Sequence, residues 1–306
     1  MGTNYFEMKI SGFTFIRNGC SFGYPFIESI KSILPVCEEF VIVVGDCDDG
    51  TREAILEIGS PKIRIIDTIW DETLRSNGTI FANQTNIALK ELTGDWAFYL
   101  QADEIINEND LDAILKKVQE FDKDPEVEGF LFDFLNFHGS YNYLNDTRYQ
   151  HTKEIRIVRT GINVFSYRDA QGFRRYPSFE EYNNNHPGVK LKVVHLHVPL
   201  YHYNYVRNPE QMNVKSKHFE AFYHDDGYLK KKYQDVREFD YYNIERVKRF
   251  TGNHPAVMKD IVKNQNWDFD PEKIHRKLSA KDRAVYFIED VIKYRIGEYR
   301  NYSVIH

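Results

Sequence analysis

Trp96-Ala97-Phe98-Tyr99-Leu100-Gln101-Ala102-Asp103-Glu104 is an apolar, aromatic run that stops abruptly at acid. Residues 96–100 read as a β-strand, and the acidic residues just past its end carry the interest. In open α/β sheets ligands bind beyond the carboxyl ends of the strands, so carboxylates placed there are candidates for chemistry. Neighbours in extended chain point to opposite faces, which lets only one of Asp103 and Glu104 face a given ligand. Asp103 is the candidate, in a position suited to a hard divalent ion, Mg²⁺ or Mn²⁺, bridging two phosphates.

Upstream, the run is the fourth strand of an alternation. Residues 10–16 read as the first strand, followed by a helix over 25–34 with Pro25 in its first turn and Phe26, Ile27, Ile30, Ile33 and Leu34 on one side. Residues 40–44 form the second strand, Asp49-Gly50-Thr51 the turn into a helix over 52–58, and 63–66 the third strand. A helix over 79–92 precedes the opening run, and Asp110 caps the next helix, which reaches about residue 121. This predicts βαβ units around a mainly parallel, Rossmann-like sheet flanked by helices. Past Gly129 longer β-like stretches, 130–137, 155–158 and 191–200, point to a mixed sheet, and from Pro209 the chain reads as helical and charged.

The 306 residues carry 46 acidic and 40 basic side chains mixed along the chain, for a net charge of -6, so there is no broad cationic face for nucleic acid. Three widely spaced cysteines, Cys20, Cys37 and Cys47, exclude a disulfide framework and a zinc ribbon and fit a reducing compartment. No basic segment leads into an apolar stretch at the N-terminus, and no run nears the roughly 20 apolar residues of a membrane span; the expectation is a cytoplasmic protein. Lys230-Lys231-Lys232 reads as a solvated helix face, with peripheral docking on an anionic membrane as the alternative.

After the second strand comes Val44-Gly45-Asp46-Cys47-Asp48-Asp49-Gly50-Thr51, in which Asp46 is free to accept a base or ribose hydrogen bond while Asp49 makes the turn. Neither acidic turn is a phosphate-cradling glycine loop: there is no G-x-G-x-x-G after the first strand and no G-x-x-x-x-G-K-[ST] anywhere, which removes dehydrogenase and P-loop readings.

In their order, three features resemble the family 2 glycosyltransferases of GT-A fold. They are Phe13-Thr14-Phe15-Ile16-Arg17-Asn18 with its helix, the stretch from Asp46 to Thr51, and Gln101-Ala102-Asp103-Glu104. Between them, Gly78 and Ala82-Asn83-Gln84-Thr85-Asn86-Ile87-Ala88 look like the family's glycine and Ala-x-x-Asn stretch before Gly94-Asp95-Trp96. The resemblance covers residues 8 to about 140. It implies a GT-A domain over 1–210, with a nucleotide-sugar half at about 8–125 and an acceptor half at 126–210, then a helical extension over 211–306.

Position by position, it implies nucleotide contact by Thr14 and Asp46, a base or phosphate contact by Arg75, and diphosphate and metal contact by Asp103. The family usually has an acid where Gln101 stands among the donor-binding residues. That leaves Asp103 as the sole metal ligand of this segment, or a weakened metal dependence. GT-A enzymes often draw a second metal ligand or phosphate contact from the end of the domain, and His202 and Arg207 are the candidates. The implied donor is a nucleoside-diphosphate sugar of UDP type, and the acceptor a glycan or lipid-linked hydroxyl in polysaccharide or glycoconjugate synthesis.

Inversion requires a base on the acceptor side. Asp169, in Tyr167-Arg168-Asp169-Ala170-Gln171-Gly172-Phe173, is preferred over Glu180 and Glu181. His195 and His197 share a face if 191–198 is a strand, with Pro199 interrupting the register, and tyrosines at 141, 143, 149 and 201–205 suggest an acceptor groove. Two other readings stand beside this one. A nucleotidyltransferase also uses acids at strand ends but wants a richer loop than Ile16-Arg17-Asn18-Gly19-Cys20, and a non-catalytic nucleotide- or glycan-binding module of transferase descent is made thinkable by Gln101.

Overall fold

The computed structural model describes residues 8–71, 78–292 and 294–306. Strands β1 (Ile10–Ile16), β2 (Glu39–Gly45), β3 (Ile63–Thr68) and β4 (Trp96–Tyr99) pair in parallel in the order β3-β2-β1-β4. The crossovers are α1 (Phe26–Ile33), α2 (Thr51–Leu56) and α3 (Thr79–Lys90). From Phe40 to Val44 every residue of β2 is buried, because both faces of the sheet are covered. Alternate residues feed two cores: Phe40, Ile42 and Val44 meet Phe26, Ile30 and Ile33 of α1, while Val41 and Val43 meet Ala88 of α3.

After β4 comes the short β5 (Glu104–Ile106), then α4 (Leu111–Phe121). Asp110 makes no side-chain cap there; a 3₁₀ turn over Glu108–Asp110 precedes the helix, and Asn107 caps that turn, accepting from Asn109 N–H at 3.0 Å. The extra turn moves the capping position three residues upstream.

The second half of the sheet is mixed. β8 (Lys153–Arg159) runs antiparallel between β4 and β6 (Gly129–His138), and β6 pairs in parallel with the long β11 (Val189–Tyr205). β7 (Ser140–Asn145) folds back on β6, and the hairpin of β9 (Val164–Tyr167) and β10 (Gly172–Arg175) closes the far edge, followed by α5 (Phe179–Asn183). Pro199 does not end β11. The strand runs through it, and the register against β6 shifts between His195 and Pro199, where His197 adopts a φ of 56°.

The C-terminal part contributes α6 (Pro209–Glu220), α7 (Asp226–Tyr233), α8 (Lys259–Lys263) and α9 (Ala280–Ile292). Two short strands interrupt the helices and join the sheet, β12 (Val247–Arg249) on β7 and β13 (Tyr302–Val304) on β11. The result is a mixed α/β fold, a central sheet flanked by helices with a helix-rich C-terminal segment. No helix among the described residues is long and apolar enough to cross a membrane.

Candidate functional site

β1 and β4 both end at a cavity of about 220 Å³. Its walls come from the end of β1 (Phe15, Ile16, Arg17), the β4–β5 loop (Gln101, Ala102, Asp103), the β9–β10 turn (Asp169) and α6 (Lys215, Ser216, Phe219). Trp70, Phe81 and Phe222 form an aromatic wall, with Phe81 stacked on Phe219 at 5.0 Å and 10°. An apolar cavity with a few convergent polar groups at the carboxyl edge of parallel strands is the usual form of a small-molecule site.

Asp103 and Glu104 have different partners, but not through strand alternation: Asp103 sits in a turn closed by Glu104 N–H on the Gln101 carbonyl at 3.0 Å, and Glu104 begins β5. Glu104 is fully buried in a two-pronged pair with Arg156, each contact 2.6 Å, and also accepts from Gln101 N–H at 3.1 Å, which fixes the turn. Asp103 lines the cavity, and its Oδ2 lies 3.3 Å from Lys215 Nζ and 3.6 Å from Arg207 Nη2. Burial pushes the Asp103 carboxyl up, but Lys215, then His202 and Arg207, outweigh it and hold the group at about 2. It is therefore an anion at any physiological pH. Lys215 is pushed the other way, to about 7, by burial and by Arg207 against the pull of Asp103.

His202 stands on the other edge of the carboxylate, with Nε2 3.7 Å from Asp103 Oδ1. Its Nδ1 faces Asn136 Oδ1 at 2.7 Å, and Asn136 Nδ2 donates to the His151 carbonyl, so the amide orientation is set and Nδ1 is the donor. Burial holds the imidazole below its ordinary range despite Asp103, leaving the Nε2 lone pair facing Oδ1. A neutral histidine with its second nitrogen anchored, beside a carboxylate oxygen, is a donor set that fits one divalent ion.

Asp169 sits between two residues in left-handed backbone, Arg168 (φ 56°) and Ala170 (φ 63°). Its Oδ2 accepts from Tyr223 O–H at 2.8 Å, while the buried Oδ1 has no hydrogen-bond partner among the described residues. Gly78 makes room for this pair: a Cβ there would lie 2.6 Å from Tyr223 Oη and 2.9 Å from Asp169 Cβ, and φ is +65°. Gln101 also faces the cavity and reaches the Ala170 carbonyl with Nε2 at 3.4 Å.

Gln101, Asp103 and Asp169 thus meet at one cavity, with His202 and Arg207 behind Asp103. Thr14 does not join them: it is buried in β1, its hydroxyl 3.4 Å from the Phe15 carbonyl. Asp46 stands outside the lining and shapes it indirectly, its carboxylate held by Arg17 Nη2 at 2.9 Å and by Trp70 N–H at 3.1 Å. Arg75 lies outside the described residues. Asp49 is a clamp, accepting from Ser21 N–H at 2.8 Å and from Thr51 O–H at 2.6 Å.

Tyr141 and Tyr203 line a second cavity with Arg207 and Trp267, and Tyr201 lies beside them. All three tyrosines are buried with Phe137, Met258 and partly buried Trp267, where the C-terminal segment packs on the sheet. Sequence reasoning missed Lys215 and the aromatic wall. The signal was present in Met212, Lys215, Phe219 and Phe222, a lysine set at helical spacing within an apolar stripe. A second cluster lies elsewhere: Asp133, His195 and His197 bring donor atoms within 4.8 Å of one another. The Lys153 amine sits among them, paired with Asp133 and 3.1 Å from His195 Nε2.

No protein-family model and no curated protein matches the sequence. Solved structures similar to it include S. aureus TarS 1–349 in complex with UDP-GlcNAc, at 14% identity and TM-score 0.41 over 73% of this chain and 70% of that one. S. aureus TarS itself matches at 16% and 0.39 over 69% of this chain, which spans only 39% of TarS. The mannosyltransferase PcManGT from Pyrobaculum calidifontis, in complex with GDP-Man and Mn²⁺, matches at 18% and 0.31 over 41% of this chain and 35% of its own.

Proposed function

We propose that the chain is an inverting, family 2-type glycosyltransferase that moves a sugar from a nucleoside-diphosphate donor, of UDP type, to a hydroxyl of a glycan or lipid-linked acceptor. The observation that carries this reading is the meeting of Asp103 and Asp169 at one aromatic-walled cavity on the carboxyl edge of the parallel strands. Asp103, anionic and backed by cations, lies on the leaving-group side. The unpartnered Oδ1 of Asp169 accepts the proton of the acceptor hydroxyl as its oxygen bonds to the anomeric carbon, and Tyr223 holds the carboxylate in place. The bond from the anomeric carbon to the diphosphate breaks, and its electron pair leaves on the phosphate oxygen. A divalent ion, when held by Asp103 and His202, would supply electrostatic stabilisation of that leaving charge. Trp70 and the phenylalanines keep water away from the reacting carbon.

The test separates binding from chemistry. Asp169→Asn is expected to bind UDP-sugar by calorimetry as the wild type does, while transfer to an acceptor panel falls at least about a hundredfold. Retained transfer, or loss of donor binding together with transfer, would remove Asp169 as the base.

A further inference from the structure

The Asp103 cluster is short of negative charge. Two cations, Lys215 and Arg207, are both nearly fully buried, and among the described residues each has Asp103 as its only ion-pair partner. Glu104, the neighbouring acid, is consumed by Arg156. A buried cation without its counter-charge is costly, so a second anion is wanted here.

At Arg207 the cluster is also short of acceptors. Lys215 Nζ donates to the Asn204 carbonyl at 3.1 Å, to Asn204 Oδ1 and to Asp103 Oδ2 at 3.3 Å, whereas the Arg207 guanidinium donates only to the carbonyls of Gly23, Tyr203 and Asn204. Arg207 Nη2 is buried with no hydrogen-bond partner among the described residues, 3.6 Å from the carboxylate. Tyr24 fixes the two cations relative to one another, its ring centroid 4.8 Å from Lys215 Nζ and 4.6 Å from the guanidinium carbon. Of the two, Lys215 lines the cavity and Arg207 stands behind it.

Resting on the nucleotide-sugar reading, we propose that the amine of Lys215 receives the donor's diphosphate, with Arg207 behind it, so that nucleoside-diphosphate binding persists without a divalent ion. Helix α6 then supplies a donor-binding group from outside the parallel strands. The geometry assigns Asp103 a second duty, that of holding two cations close enough to share one diphosphate.

Titration calorimetry of the full chain with UDP and with GDP, in excess EDTA and again with Mn²⁺, tests this. The wild type is expected to bind one of the two in EDTA. Lys215→Met weakens that binding by about ten- to a hundredfold, the loss of one charge-assisted hydrogen bond, and Lys215→Arg recovers part of it. Binding seen only with Mn²⁺, or Lys215→Met binding in EDTA as the wild type does, overturns the assignment while leaving the glycosyltransferase reading intact. No binding of either nucleotide by the wild type under both conditions overturns that reading as well. The wild-type arms do not depend on how well any variant folds.

Discussion

For single residues, the electrostatics of the site follow from who is buried beside whom. Glu154 on β8 is buried near Glu104, Asp169 and Glu298, and burial first, then those acids, raise its carboxyl from 4.5 to about 8 against the opposing pull of Arg156. The folded protein therefore keeps a proton that the unfolded chain releases. The stability this contributes is full below pH 4.5 and is lost as pH rises to about 8. Thermal melts across that range should fall for the wild type, and Glu154→Gln should flatten the decline by a few kcal/mol at its upper end. An unchanged slope would place the titration elsewhere. Glu104, close by, has the Arg156 guanidinium forked on both of its oxygens.

Elements are joined by such pairs as much as by ladders. The Glu104–Arg156 fork ties β5 to β8, and Gln101 N–H adds the loop between β4 and β5, so the site's turn rests on one buried ion pair. Arg156→Met leaves Glu104 charged and uncompensated, and urea unfolding should show a loss of about 3–5 kcal/mol. The double variant Glu104→Gln with Arg156→Met should lose less than Arg156→Met alone, since the isolated charge is then gone. Most strands and helices of the first half are legible in the sequence: β1 over 10–16 and the helices on either side of β2 follow from period and turn chemistry within a dozen residues. The Asp110 cap is not, because a 3₁₀ turn there moves the capping position upstream to Asn107; the register interruption expected at Pro199 is present, between His195 and Pro199.

Over the whole molecule, the C-terminal part closes the site. Gly78 N–H donates to the Phe222 carbonyl at 3.3 Å, and the Phe222 ring packs 5.8 Å from Trp70 and 5.0 Å from Phe81. Phe222→Ala should cost about 3–5 kcal/mol in unfolding experiments and also weaken nucleotide binding, because the same ring anchors α6 and walls the cavity. Lost stability with unchanged binding would show that the wall is packing alone. The free edge of β7 and the flank of β11 are covered by β12 and β13, so the last 60 residues are built into the sheet as well as packed over it.

Periodicity acts between near neighbours, and for that reason the α/β order and the acidic strand end can be read along the chain. Three other outcomes belong to the folded molecule alone: Asp103 meets a lysine 112 residues away, Thr14 vanishes into the core, and Asp46 is taken by Arg17 and Trp70. A charged or polar group is defined by what burial places against it, and spacing along a chain carries no record of that partner.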